Sequence, residues 1–322
     1  MTGGMSRPSS FQRLALWTTA VTYLLILVGG LVRASGAGLG CPDWPRCFGS
    51  WIPPASTAEL PPGFDASQFN TTLMWTEYLN RLLGVTVGFF ILAATVSAFR
   101  HHRRDPHILW PTVVALLLTG YEGWLGGRVV AHALAPWIVT AHLVVAIAIV
   151  LLLLYATVYA TYRLPAVGRA GTSGVASLAD SSRASRTFVT TVVVMMIVTL
   201  VQVALGTQVR GTIDDALDEG VARDAALGTV GWFDNVHRTT ALAVMSLALI
   251  GLLVLWSKHQ GARRLARWTY DVVALAGLQI VLGVALAYVA LAPTIQVLHL
   301  TLASLLMGAQ MVQLLVACWE SP

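Results

Sequence analysis

Charge is what this chain has least of. Asp, Glu, Lys and Arg make up 11% of its 322 residues, while 56% are hydrophobic, a balance that excludes a water-soluble domain of this size and places the chain in a membrane. Basic residues are not gathered on a soluble face, so the formal charge of +5 provides no patch for nucleic acid. A long amphipathic leader rich in Ser and Arg is also missing, and a prokaryotic plasma membrane is expected rather than an organelle.

What is present is apolar sequence in long runs. Windows of about 20 mostly apolar residues predict eight membrane-spanning helices near 12–34, 75–99, 108–128, 137–162, 187–208, 234–256, 268–290 and 294–317. The expected fold is an all-α, multi-pass membrane protein. Of the 20 Lys and Arg, 13 fall at the N-terminus and in every second loop: Arg7, Arg13, Arg100, Arg103, Arg104, Arg163, Arg169, Arg183, Arg186, Lys258, Arg263, Arg264 and Arg267. By the positive-inside rule those segments are cytoplasmic, both termini lie inside, and residues 35–74, 129–136, 209–233 and 291–293 face outside. The first span follows a short basic segment and ends near Ala34-Ser35-Gly36, as a cleaved secretory signal does; it is expected to be retained, because its removal breaks the symmetry between the halves.

That symmetry is a repeat at an offset of 157 residues. The offset carries His142 onto His299, each six residues after a proline (Pro136, Pro293) and each followed by leucine. It also carries Arg81 onto Arg238, Leu125-Gly126 onto Leu282-Gly283, Leu134-Ala135-Pro136 onto Leu291-Ala292-Pro293, and Asn80 onto His237. These matches predict two tandem four-helix bundles related by internal duplication, residues 1–162 and 187–322. Residues 163–186, rich in Gly, Ser, Ala and Arg, are expected to be a cytoplasmic linker without chemistry of its own.

His237 and His299 are 62 residues apart on different helices. Neutral imidazoles on facing helices of an apolar bundle can bind haem iron axially from opposite faces. The first half offers Asn80 and His142 instead, so the halves are expected to do different jobs. All four positions fall in the first two turns of spans that enter from outside, which puts the sites toward the outer face. Each is followed four residues later by a very small residue, Gly84, Ala146, Ala241 or Ala303, on the same helix face, leaving room for a flat macrocycle. A lone intramembrane histidine is as readily an ordinary polar residue bonded across helices; the matched pair favours ligation at His237 and His299. His101, His102, His107 and His259 lie in or beside cytoplasmic loops and are expected to be solvated, and His132 in a short outer loop is a weaker alternative ligand.

Arg33, Arg81, Arg128, Arg210 and Arg238 lie at or near the outer helix ends, on the side that should be poor in them. They either snorkel to lipid phosphate or pair with carboxylates, for which haem propionates are natural candidates. Glu77 shares a helix side with Asn80 and matches Asp234 in the repeat. It is either a helix-start acid favoured by the macrodipole or a carboxylate that takes protons or stabilises a cation during oxidation of a substrate. Glu122 matches Gln279 and is an intramembrane acid that calls for a partner; Arg128, six residues on, is not on its face, and the role of Glu122 stays open. Cys41 and Cys47 bracket Pro-Asp-Trp-Pro-Arg and can form a disulfide if the turn brings their Cα atoms close, with redox activity and metal binding as open alternatives. Cys318 stands alone at the inner end of the last span.

Together, Cys41-Pro-Asp-Trp-Pro-Arg-Cys47, Glu77-Tyr-Leu-Asn-Arg81, Gly206-Thr-Gln-Val-Arg-Gly211, Asn235-Val-His-Arg238 and Gln296-Val-Leu-His-Leu300 resemble the haem A synthase family across all eight spans. The resemblance implies a duplicated four-helix unit whose C-terminal half holds one haem b between His237 and His299 and whose N-terminal half houses the substrate, haem O. It implies oxidation of the ring methyl at C8 to a formyl group, giving haem A for terminal oxidases, with His142 facing the substrate iron and Glu77 as the catalytic carboxylate. Haem O synthase is then the expected supplier, and the electron acceptor is left unnamed. Many members have His where this chain has Asn80, and an amide is a poor iron ligand beside imidazole. That leaves either a five-coordinate substrate on His142 or a half without catalysis, and retention of Glu77, Arg81 and His142 favours the first. The competing readings are a non-enzymatic b-type cytochrome and a haem carrier that leaves the methyl untouched.

Overall fold

The computed structural model describes residues 9–163, 186–222, 225–258, 262–289 and 291–319. The interior of the expected linker, with Arg169 and Arg183, and also Arg7 and His259, lie outside the described residues. Among the described residues, eight helices are long and apolar enough to cross a membrane. They are α1 (Ser10–Ala34), α2 (Thr71–His101), α3 (Pro106–Ala131), α4 (Pro136–Val158), α5 (Arg186–Asp218), α6 (Trp232–Lys258), α7 (Arg263–Tyr288) and α8 (Pro293–Trp319). A π-turn, Tyr159–Arg163, prolongs α4, short 3-10 turns fill the outer loops, and no strand occurs among the described residues. The chain is therefore an all-α membrane protein with eight spans, as its apolar runs predict.

Local sequence sets where the helices begin. Ser9 and Gln12 form a reciprocal capping box at the start of α1, satisfying backbone donors that the first turn leaves free. Asn70 caps α2 through the Leu73 N–H, and Asp105 caps α3, with Pro106 as its first residue. Proline also opens α4 and α8, where its missing N–H costs nothing.

Two helices run further than their apolar windows. α2 begins at Thr71, so Asn80 lies in its third turn rather than its first two. α5 continues to Asp218, ten residues past the expected end at 208, so part of the expected outer loop is helical. A hydrocarbon-length window cannot register this extension, whose buried Ile213 and Ala216 pack instead on Ala226 and Val230 of the following loop. Arg210 consequently lies within a helix, not at its end.

The same neighbour pattern occurs in each group of four helices. α1 packs on α2, α2 on α3, α3 on α4 and α4 back on α1; α5 packs on α6, α6 on α7, α7 on α8 and α8 back on α5. The groups meet through α1 on α8, α4 on α5, and α4 on α8, with Ile147, Val203 and Met307 forming a small apolar cluster at the junction. Lipid tails give helices no hydrophobic reason to associate, so packing and interhelical hydrogen bonds carry the assembly. Thr19 meets Thr157 at 3.1 Å, Thr95 donates to the Thr112 carbonyl at 3.0 Å, and Gln310 donates to Thr199 at 2.9 Å. Gly211 stands directly against Pro136 where α5 passes the start of α4; a side chain there would force the two apart.

Candidate functional site

Two imidazoles are seated on glycine in the same way in the two helix groups. A β-carbon at Gly126 of α3 would stand 3.6 Å from Cε1 of His142 on α4, and one at Gly283 of α7 would stand 3.6 Å from Cε1 of His299 on α8. The glycines let each ring lie on the neighbouring backbone. His237, on α6, lies similarly against Gly206 of α5, at 3.1 Å from the position a β-carbon would take. The Nδ1 atoms of His142, His237 and His299 are buried without a hydrogen-bond partner, and so is Oδ1 of Asn80. Buried polar atoms are rarely left unmatched in a finished site.

The wall behind His237 is polar. Gln202 places its amide nitrogen 3.4 Å from Nε2 of His237, and Thr240 donates to the Gln202 carbonyl oxygen. Behind His299, Gln279 donates to the His299 carbonyl at 2.8 Å while its own oxygen stays buried and unpaired. A haem group fits this donor set: two neutral imidazoles with unsatisfied nitrogens, backed by glycine and amides inside an apolar bundle.

In the first group of helices, His142 Nδ1 and Glu122 Oε1 are 3.2 Å apart, with 40% of the histidine side chain and 14% of the glutamate side chain exposed. Gly84, one turn after Asn80, has open space where a β-carbon would be. Glu77 and Arg81 do not extend into that space. Arg81 pairs with Glu77 at 2.5 Å, both side chains being under 10% exposed, and donates to the carbonyls of Asp43 at 2.7 Å, Arg46 at 2.8 Å and Cys41 at 3.1 Å. The other Glu77 oxygen accepts the Cys41 N–H at 2.8 Å. Cys41 and Cys47 form a disulfide with Cα atoms 4.8 Å apart, and the loop they close is thus fastened to α2. Trp44 at its tip rests on Gly127 of α3, with the Arg81 guanidinium 5.0 Å from its ring centre. Phe48, Phe64, Phe69 and Met74 pack beneath the same loop.

The expected propionate-binding arginines all have protein partners. Arg238 pairs with Asp234 at 2.8 Å and donates to Tyr288 at 2.5 Å, repeating the Glu77–Arg81 pair one half later. Arg210 pairs with Asp214 at 2.5 Å and donates to Gln296. Arg33 reaches the same Asp214 at 3.2 Å, while its Nε is buried without a partner. Arg128 contacts His132 at 3.2 Å. Asp214 was not among the sequence-derived site residues, although its position four after Arg210 is a visible helix-pair signal; the apolar window had ended the helix before reaching it. Gln202 and Tyr288 carry no sequence signal beyond polarity in a span, whereas Gln296 opens the Gln296-Val-Leu-His-Leu300 motif.

The remaining histidines lie elsewhere. His101 is exposed and bonds the Ser97 carbonyl at 3.0 Å. His102 packs on Phe11 with ring centres 5.0 Å apart. His107 is exposed as well, with its ring nitrogen 2.7 Å from the Tyr155 hydroxyl and its ring stacked on Tyr159.

Eight apolar helices define a polytopic membrane protein, within which His142, His237 and His299 each lie against a glycine. The chain belongs to the COX15-CtaA family, described as cytochrome oxidase assembly protein, whose family model matches residues 12–311. It is 34% identical over 124 residues to a protein named Heme A synthase from Geobacillus kaustophilus, covering 38% of this chain and 34% of that one. It is 31% identical over 140 residues to a Heme A synthase from Shewanella oneidensis, covering 42% of each, and 31% identical over 121 residues to that of Geobacillus thermodenitrificans. The matched stretches span about a third to two fifths of these relatives' lengths.

Proposed function

We propose that this protein is a haem A synthase of a prokaryotic plasma membrane, oxidising the C8 methyl of haem O to a formyl group for use by terminal oxidases. The observation that carries the reading is the repeated seating of His142 on Gly126 and His299 on Gly283 at 3.6 Å, in a member of the family that contains the named synthases. Residues 1–162 form the substrate half and 187–322 the cofactor half, products of an internal duplication, with both termini inside and both sites toward the outer face.

His237 and His299 hold one haem b in the second half. When bound, such a haem supplies one-electron transfer. Glycine at 206 and 283 lets each imidazole lie against the neighbouring helix backbone, and Nδ1 of each ring is buried without a protein partner. Arg33, Arg210 and Arg238 each hold a carboxylate in the protein, the chemistry a propionate needs; Arg128 is the one of these residues whose described side-chain partner is not a carboxylate.

Haem O binds in the first half with His142 toward its iron, beside Asn80, Arg81 and the open space at Gly84. Asn80 provides no second imidazole, so the substrate is five-coordinate. Glu77 is the catalytic carboxylate. With one oxygen on Arg81 and the other on the Cys41 N–H, it would have to release one of these partners to take a proton from the substrate or to stabilise charge at the oxidised carbon. The disulfide loop fixes that geometry from above. Haem O synthase is the supplier.

The test is co-expression with a haem O synthase followed by haem extraction and chromatography. Haem A in the extract supports the reading. Haem O recovered unchanged, with the bis-histidine haem in place, overturns it in favour of a carrier.

A further inference from the structure

We propose that Glu122 is a positioning residue for His142, holding the imidazole in the orientation and tautomer that the substrate iron requires, and that this contact is what separates the chemistry of the two halves. The inference rests on the proposed binding of haem O at His142. Its starting point is that both carboxylate oxygens of Glu122 are buried inside a membrane span and make no hydrogen bond, while Nδ1 of His142, 3.2 Å from one of them, also makes none. The two groups have the right separation but not the alignment, and each lacks any other partner. A buried acid in that position is costly unless matched, and a turn of the imidazole about its last side-chain bond supplies the match.

The repeat provides an internal control. Glu122 corresponds to Gln279 at the offset of 157 that relates His142 to His299. Gln279 donates to the backbone carbonyl of His299 at 2.8 Å, and His299 Nδ1 stays without a partner. One half therefore backs its histidine with an acid aimed at the ring, the other with an amide aimed at the backbone. The glycine beneath each ring is the same, while the group behind it differs.

The chemistry follows from imidazole itself. With Nδ1–H donated to a Glu122 oxygen, Nε2 keeps its lone pair for iron, and that hydrogen bond makes the lone pair more basic. A strongly donating axial nitrogen suits an iron with an open opposite face, the coordination that Asn80 leaves. Two ordinary imidazoles suit an iron that only exchanges electrons.

The test uses the full-length protein carrying its bis-histidine haem and loaded with haem O. Resonance Raman spectra of the ferrous form report the iron–histidine stretch of a five-coordinate haem, to which a bis-histidine haem does not contribute. In the wild type this band should be present, and it should be lost in His142→Ala. In Glu122→Gln it should move to lower frequency, with haem O retained about 10–100-fold less tightly, the range typical of lost outer-shell contacts to a ligating histidine. An unchanged bis-histidine spectrum shows that the variant is folded. Gln279→Glu should shift the midpoint potential of the bis-histidine haem downward. A band present in the wild type and unmoved in Glu122→Gln overturns the role of Glu122 and leaves the haem O reading intact. A wild type without the band overturns both.

Discussion

Arg33, in the last turn of α1, places its guanidinium 3.2 Å from the carboxylate of Asp214 near the end of α5, so an ion pair joins the first helix of one group to the first helix of the other. Arg210 binds the same carboxylate. One acid thus holds two cations that would repel each other without it.

Asp214→Asn should destabilise the protein by about 1–3 kcal/mol, because the two guanidiniums are largely shielded from solvent and lose their shared partner. Unfolding in detergent, followed by helicity against temperature, measures this. Arg33→Gln in the same background should recover part of the loss by removing one of the stranded charges; the absence of any recovery would mean that Asp214 acts alone.

The cofactor assignment makes a sharper forecast. His237→Ala and His299→Ala should each eliminate the low-spin bis-histidine absorption of purified protein while leaving its helix content intact. Both variants keeping that spectrum would remove these residues from the ligand set.

Catalysis and cofactor binding should separate by mutation. Glu77→Gln and His142→Ala are expected to abolish haem A production with the bis-histidine spectrum unchanged, as read from extracted haem and from absorption of the same preparation. Asn80→Ala should be milder, because a residue that is not an iron ligand loses at most a hydrogen bond of about 0.5–1.5 kcal/mol. Haem A yield in Asn80→Ala as low as in His142→Ala would sink the five-coordinate arrangement.

The disulfide predicts a labelling pattern. In unfolded, non-reduced protein a thiol reagent should modify Cys318 and leave Cys41 and Cys47 unlabelled, with both appearing only after reduction. Mass spectrometry of labelled peptides gives the answer, and equal labelling of all three before reduction contradicts the bond.

The eight spans were legible because a membrane demands long apolar runs whatever the helices later pack against. The histidine positions were legible because a repeat exposes residues that keep their place while their neighbours change. What escaped notice has physical causes. The outer ten residues of α5 are amphipathic rather than apolar, and they hid Asp214 with them. Beyond its pair with Glu77, the destination of Arg81 could not be read from α2, since its other partners are backbone carbonyls 35–40 residues earlier, which no side-chain pattern announces. Glu122 was recognisable as an acid in need of a partner, but His142 became that partner only once α3 and α4 were packed on each other.

α8 is the odd helix. Two thirds of its apolar stretch is buried, 67% against 33% or less for each of the other seven, and it touches α1 and α4 as well as α5 and α7. By sequence it belongs to the second four helices, and by contact it belongs to both sets. Leu300, next to His299, lies so close to Gly30 of α1 that a β-carbon there would approach it to 2.9 Å. A methyl group added to the first membrane helix would therefore be felt beside the last histidine of the chain. The two halves share a spine, and wear at one can be read at the other.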